Sequence, residues 1–110
     1  MSITVNIYYS GTNGNAKKFA KEMVTSGIVE RIRNETGNLR YEYFFPMEDE
    51  ETVLLIDSWL NQEALDTHHE SPMMEKIVAL REKYDLHMKV ENYHLDETES
   101  INESESYIRK

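Results

Sequence analysis

The chain has 110 residues and a formal net charge of −9, with 39% hydrophobic and 30% charged residues and no cysteine. This describes one globular domain. It excludes disulfides, thiolate metal sites and a cysteine nucleophile, and it argues against nucleic acid or an anionic membrane as partner, both of which need a basic footprint. No apolar run reaches the ~18 residues that cross a bilayer, and the N-terminus lacks the basic start of a secretion signal, so a cytoplasmic protein is expected.

Residues 3–9, ITVNIYY, alternate: Ile3, Val5, Ile7 and Tyr9 share one face, Thr4, Asn6 and Tyr8 the other. A strand with one apolar face is predicted. SGTNGN (10–15) is turn chemistry. A helix then runs to about Thr36, its stripe formed by Phe19, Ala20, Met23, Val24, Ile28 and Ile32, with Ser26-Gly27 as a kink and Gly37 as the stop. NLRYEYFFP (38–46) is the second strand and TVLLIDSW (52–59) the third, apolar on both faces at its centre and so a central strand, hairpinned to the second. Asn61 can cap a short helix over 62–69. Ser71-Pro72 looks like a second cap with proline at the first helical position, and Met73, Met74, Ile77, Val78 and Leu80 give that helix its buried face. DLHMKVENYHL (85–95) is the fourth strand, with Leu86, Met88 and Val90 inward. An acidic tail, 96–110, carries five acids and two bases and has little to bury.

The order β-α-β-β-α-β is the α+β, ferredoxin-like plan, an antiparallel sheet with its helices on one face. Apolar and aromatic residues fall on both sheet faces, at Tyr8 and Tyr9, Phe44 and Phe45, Leu54 and Leu55. The second face is therefore expected to be covered by the same face of a second copy, making a homodimer.

Two segments carry a resemblance. GNLRYEYF (37–44) and VLLIDSWLNQEALDTHHESP (53–72) resemble the antibiotic biosynthesis monooxygenase family, whose pattern runs Gly-x-hydrophobic-x-Tyr/Phe, then a strand ending Glu/Asp-x-Trp, then a helix with a histidine shortly before Ser/Thr-Pro-His. The resemblance covers residues 3–95. It implies a dimeric α+β barrel. Its members include oxygenases that oxidise quinols or anthrones with O2 and no cofactor, haem-degrading enzymes, an isomerase of a phosphorylated autoinducer, and proteins without a known substrate. His68 stands where the family commonly has its histidine, whereas the further histidine after Ser-Pro is Met73 here. The haem-degrading pattern matches at Asn6 only and is disfavoured.

These matches lead to a small aromatic or apolar substrate and O2, with no cofactor and no metal. His68 is the candidate base, because imidazole titrates near neutrality and can take a phenolic proton. His69 is the weaker choice, and the adjacent pair points about 100° apart on a helix, unsuited to sharing one metal ion. Asn6 is the second catalytic candidate, an amide mid-strand where asparagine is disfavoured. Trp59, Tyr8, Tyr43 and Arg40 are substrate-binding candidates, each with a plainer role as core anchor, sheet face or ion pair. Two alternatives stay open: an isomerase of a phosphorylated dione, with Arg40, Arg81 and Lys89 as its only available basic cluster, and a non-catalytic dimer that sequesters a hydrophobic metabolite.

Overall fold

The structure is a computed structural model that describes residues 1–95 and 109. Its order is β1 (Ser2–Ser10), α1 (Asn15–Thr25), α2 (Ile28–Arg33), β2 (Asn38–Phe44), β3 (Thr52–Trp59), α3 (Gln62–His69), α4 (Met73–Lys83) and β4 (His87–Leu95). The sheet is antiparallel in the order β2-β3-β1-β4, so β1 and β3 are central, as the doubly apolar centre of β3 foretold. The ferredoxin-like α+β plan is the one observed, with each helical limb divided in two. The acidic tail lies outside the described residues, apart from Arg109.

The division of the first limb has a backbone cause. Gly27 has φ 86°, a left-handed conformation that a continuous right-handed helix cannot contain, so the expected kink is a break. On either side the apolar positions keep helical spacing. Ala16, Phe19, Ala20 and Met23 are buried from α1, and Ile28, Val29 and Ile32 from α2. Enclosing a side chain such as Phe19 or Met23 is worth about 1.5–3 kcal/mol. The limb ends at Arg33, not Thr36, and Gly37 at φ 84° turns the chain into β2.

Other boundaries move for local reasons. Asn61 caps α3 as expected, its Oδ1 accepting from the Ala64 N–H at 2.9 Å. Ser71 does not cap α4 with its side chain: its Oγ has no partner among the described residues, while its N–H donates to the His68 carbonyl and its own carbonyl accepts from Met74 N–H. β4 begins at His87 because Asp85 takes a left-handed φ of 52°.

The core lies between the sheet and the helices. Ile3, Val5 and Tyr9 of β1, Val53, Leu55 and Trp59 of β3, and Tyr41 of β2 meet the helical stripes there. Coverage is uneven. α4 packs chiefly on the other helices, and Met88 and Val90, on the helix side of edge strand β4, stay 40% and 48% exposed rather than buried. A gap is left between α4 and the β1–β4 half of the sheet.

Candidate active site on the helix-covered face

That gap is a cavity of about 290 Å³, at the small end of ligand sites. Its walls are mostly apolar: Val5 and Ile7 from β1, Met74, Ile77 and Val78 from α4, and Val90 from β4. The four α4 residues that reach it, Met74, Ile77, Val78 and Arg81, fall at positions i, i+3, i+4 and i+7, one helical stripe. Polar groups come from Tyr9, Tyr41, Asp57, His68, His69, Arg81 and Asn92.

His68 is brought in by α3, whose buried side is Leu65 and His68. It is 3% exposed while His69 beside it is exposed, so the inward residue of the pair is His68. Its ring stacks on Trp59 with centroids 4.6 Å apart and meets Tyr41 edge-on at 6.4 Å. Nδ1 lies 2.8 Å from Glu35 Oε1, supplied by the turn between α2 and β2. A carboxylate can only accept, so Nδ1 carries the proton and Nε2 keeps the lone pair. Burial pulls the imidazole below its ordinary pKa, against the opposing pull of Glu35, and His68 is a neutral base at pH 7.

Asp57 is the second titratable group. It stands on β3 among Val53, Leu55 and Trp59, at 4% exposure. Trp59 Nε1–H donates to its Oδ1 at 2.6 Å. Burial raises its carboxyl from 3.8 to about 7; the Trp59 bond works against that rise and the Glu35 charge adds to it. Asp57 therefore holds a proton in an appreciable fraction of molecules at neutral pH. Burial also keeps the Tyr9 and Tyr41 hydroxyls protonated. The site joins a neutral base to a carboxylic acid, with Trp59 touching both.

A close approach joins the turn that carries Glu35 to the helix that carries His68. A Cβ at Gly37 would stand 2.5 Å from Ala64 Cβ, and the Gly37 carbonyl accepts from Leu60 N–H at 2.8 Å. The turn that carries Glu35 is seated directly on the first turn of α3.

The candidates named from sequence divide between the two sheet faces. His68 and Trp59 are together; Trp59 is buried and backs the histidine without lining the cavity. Tyr43 is on the same face, packed edge-on against Phe19 and Tyr41, outside the cavity. Asn6, Tyr8 and Arg40 lie on the opposite face, in register with Ile56, Leu54 and Ser58. There Arg40 pairs with Glu42 at 2.8 Å and Lys89 lies over Tyr8. Asn6 Oδ1 is buried with no partner among the described residues. Sequence reasoning missed Glu35 and Asp57. An acid on the apolar face of a central strand was a visible signal for Asp57; Glu35 gave none.

No group of three or more His, Cys, Asp or Glu suited to a metal ion occurs among the described residues, and none of their helices is long and apolar enough to cross a membrane.

Solved structures of the same fold are numerous. A candidate antibiotic biosynthesis monooxygenase from Deinococcus radiodurans superposes with a TM-score of 0.76 at 22% identity, covering 93% of this chain and 97% of that one. A possible oxidoreductase from Bacteroides thetaiotaomicron gives 0.75 at 18% identity, covering 86% and 97%. SnoaB, a cofactor-independent oxygenase from Streptomyces nogalater, gives 0.71 at 10% identity, covering 90% and 97%. At these identities the likeness is one of fold. No curated protein matches in sequence. The family model for antibiotic biosynthesis monooxygenase matches residues 2–80, which spans β1 through most of α4 and includes Glu35, Asp57, Trp59 and His68, and the chain belongs to that family.

Proposed function

We propose that the protein is a cofactor-independent monooxygenase that uses O2 on a small aromatic quinol, phenol or anthrone. The observation that carries this reading is His68, tethered through Nδ1 to Glu35 and set in the wall of a largely apolar cavity. Spin-paired aromatics react slowly with O2, and deprotonation makes them electron-rich enough to give up an electron. His68 Nε2 takes the substrate proton, and Glu35 stabilises the imidazolium that forms. The anion passes one electron to O2, and the two radicals combine into a carbon–peroxide. Asp57 delivers the proton that this peroxide needs. Loss of water then leaves a carbonyl, so a CH2 centre and O2 become C=O and H2O. Two titratable groups whose surroundings push them in opposite directions suit these two roles.

The functional unit in this reading is a homodimer joined through the open sheet face. That face presents Tyr8, Phe44, Leu54 and Ile56, and it leaves Asn6 Oδ1 without the partner a buried acceptor requires. Asn6, Tyr8 and Arg40 then serve the contact between copies before they serve a substrate. The isomerase alternative is less well supported. Arg81 is the sole Arg or Lys lining the cavity among the described residues, which is thin provision for a phosphate.

The test is oxygen uptake with a panel of quinols and anthrones. Wild type should consume O2 and yield the carbonyl product. His68→Ala should lose about 10²–10⁴ in rate, the usual worth of a positioned base, and Glu35→Gln should lose less. A folded wild-type protein inert toward the whole panel would remove the monooxygenase reading.

A further inference from the structure

α4 and β4 face each other across the cavity with little to hold them together. Ile77 and Val78 line it from the helix, Met88 and Val90 from the strand. Among the described residues one hydrogen bond joins the two elements: Arg81 Nη1 donates to Met88 Sδ at 3.4 Å. A thioether is a weak acceptor. The other contact of the guanidinium among the described residues is long, 3.5 Å from Nη2 to the exposed Glu82 carboxylate. A strong donor thus faces a weak partner at the one place where α4 is tied to β4. Met88 is also within reach of solutes, being part-exposed in the cavity wall, whereas Met23 is fully buried in the core.

One chemical change would convert this weak bond into a strong one. A sulfoxide oxygen carries much of the negative charge of its S–O bond, and a guanidinium N–H binds it far better than it binds a thioether. We infer that Met88 is a modification site: a hydroperoxide oxidises its sulfur, and Arg81 then holds the sulfoxide oxygen and locks α4 to β4 across the cavity.

The step needs a hydroperoxide and no other reagent. A sulfur lone pair attacks one peroxide oxygen, an S–O bond forms and the O–O bond breaks. The proton of the transferred oxygen passes to the departing one, which leaves as water or an alcohol. Sulfur gives up two electrons and the peroxide takes them. The unbranched, flexible methionine chain lets the new oxygen turn toward Arg81. Because α4 supplies one wall of the cavity, fixing it to the strand restricts how far the cavity can open. The lock is reversible, since reduction restores the thioether. The proposed reaction forms a hydroperoxide in this same cavity and so supplies one oxidant. The site itself does not rest on that reading, because hydrogen peroxide from any source meets the same sulfur.

Treatment with hydrogen peroxide tests the inference, with peptide mass spectrometry to locate sulfoxides and hydrogen exchange to follow the amides of α4. Met47, the most exposed methionine among the described residues, is the reference for dose. Met88 should be converted at a dose that converts Met47, while Met23 stays reduced. Exchange in α4 should then slow about fivefold in oxidised wild type. Arg81→Gln should be oxidised at Met88 without any slowing, and treated Met88→Leu should show none either. Met88→Gln, whose amide oxygen accepts from Arg81 with no oxidant, should slow α4 in untreated protein. Four results overturn the inference: Met88 stays reduced while Met47 is converted; oxidised wild type exchanges at an unchanged or faster rate; the slowing persists in Arg81→Gln or Met88→Leu; untreated Met88→Gln exchanges like wild type. None of these measurements depends on turnover, so a failure of the monooxygenase reading is told apart from a failure of this one.

Discussion

The two faces of one sheet are built from alternate residues of the same strands, and they handle polar groups in opposite ways. On the helix-covered face the groups at the cavity have fixed neighbours: Asp57 has the Trp59 indole, His68 has Glu35, and Trp59 stacks behind the histidine, while the Tyr43 hydroxyl, outside the cavity, is buried without a partner among the described residues. On the open face the groups are paired loosely, Arg40 with Glu42 and Lys89 with Glu91, and Asn6 Oδ1 has no partner among the described residues. In the proposed reading the first face serves chemistry within one chain and the second serves the contact between copies. A one-residue shift in strand register would exchange them, which is why register and function are the same question here.

The comparison can be broken most sharply at Trp59. Trp59→Ala removes a fully buried ring and with it the support of both His68 and Asp57, and should cost about 3–5 kcal/mol in urea unfolding. A loss below about 1 kcal/mol would mean that the covered face is not held together as described.

Asp57→Asn should act in the opposite direction on stability. The folded carboxyl titrates near 7 against 3.8 in the unfolded chain, so the folded state binds the proton more tightly. The sheet is then most stable below pH 4 with respect to this group, and the contribution is lost as pH rises from about 4 to about 7. The full shift corresponds to about 4 kcal/mol. Asp57→Asn should therefore raise the melting temperature at pH 8, flatten its dependence between pH 4 and 8, and slow oxygen uptake. His68 works on the acid side. Its folded pKa is lowered, so the unfolded chain takes up the proton first and stability falls as pH drops below about 6.5. His68→Gln should remove that part of the acid sensitivity.

The open face calls for a different measurement. Ile56→Asp places a charge at the centre of the proposed contact between copies and should weaken the dimer by on the order of 2–3 kcal/mol in sedimentation equilibrium, with the helix-side core intact by circular dichroism. An unchanged oligomer would dismiss this face as the interface. Smallest of all is Arg40→Ala. It breaks an exposed ion pair and should alter monomer stability by less than about 0.5 kcal/mol.

How much of this was legible in the sequence depends on how local each cause is. β3 was readable to the residue because an apolar centre on both faces admits only a central strand. The Asn61 cap was readable because its partner is three residues away. Alternation told which residues share a face, but not which face the helices would choose. That is how Asn6, Tyr8 and Arg40 came to be named beside His68 though the sheet stands between them. Gly27 was seen as a weak point, and only its positive φ made it a break. Glu35 was out of reach, because its role depends on a contact with His68 across 33 positions that no periodicity encodes.

The close approach of Gly37 and Ala64 has a consequence for how variants of this protein would be sorted. Neither residue touches the cavity, and neither has a group that can react. Yet they set the spacing between the turn that carries Glu35 and the helix that carries His68. One added carbon at position 37 would press the turn against α3 and disturb the Glu35–His68 bond while leaving both of its partners present. In a screen scored by turnover alone such alleles would be grouped with losses of His68 itself. A screen scored by expression would register the strain as well, since position 37 holds a φ of 84° that glycine alone adopts freely. The atoms these two residues lack set how closely the turn and the helix can meet.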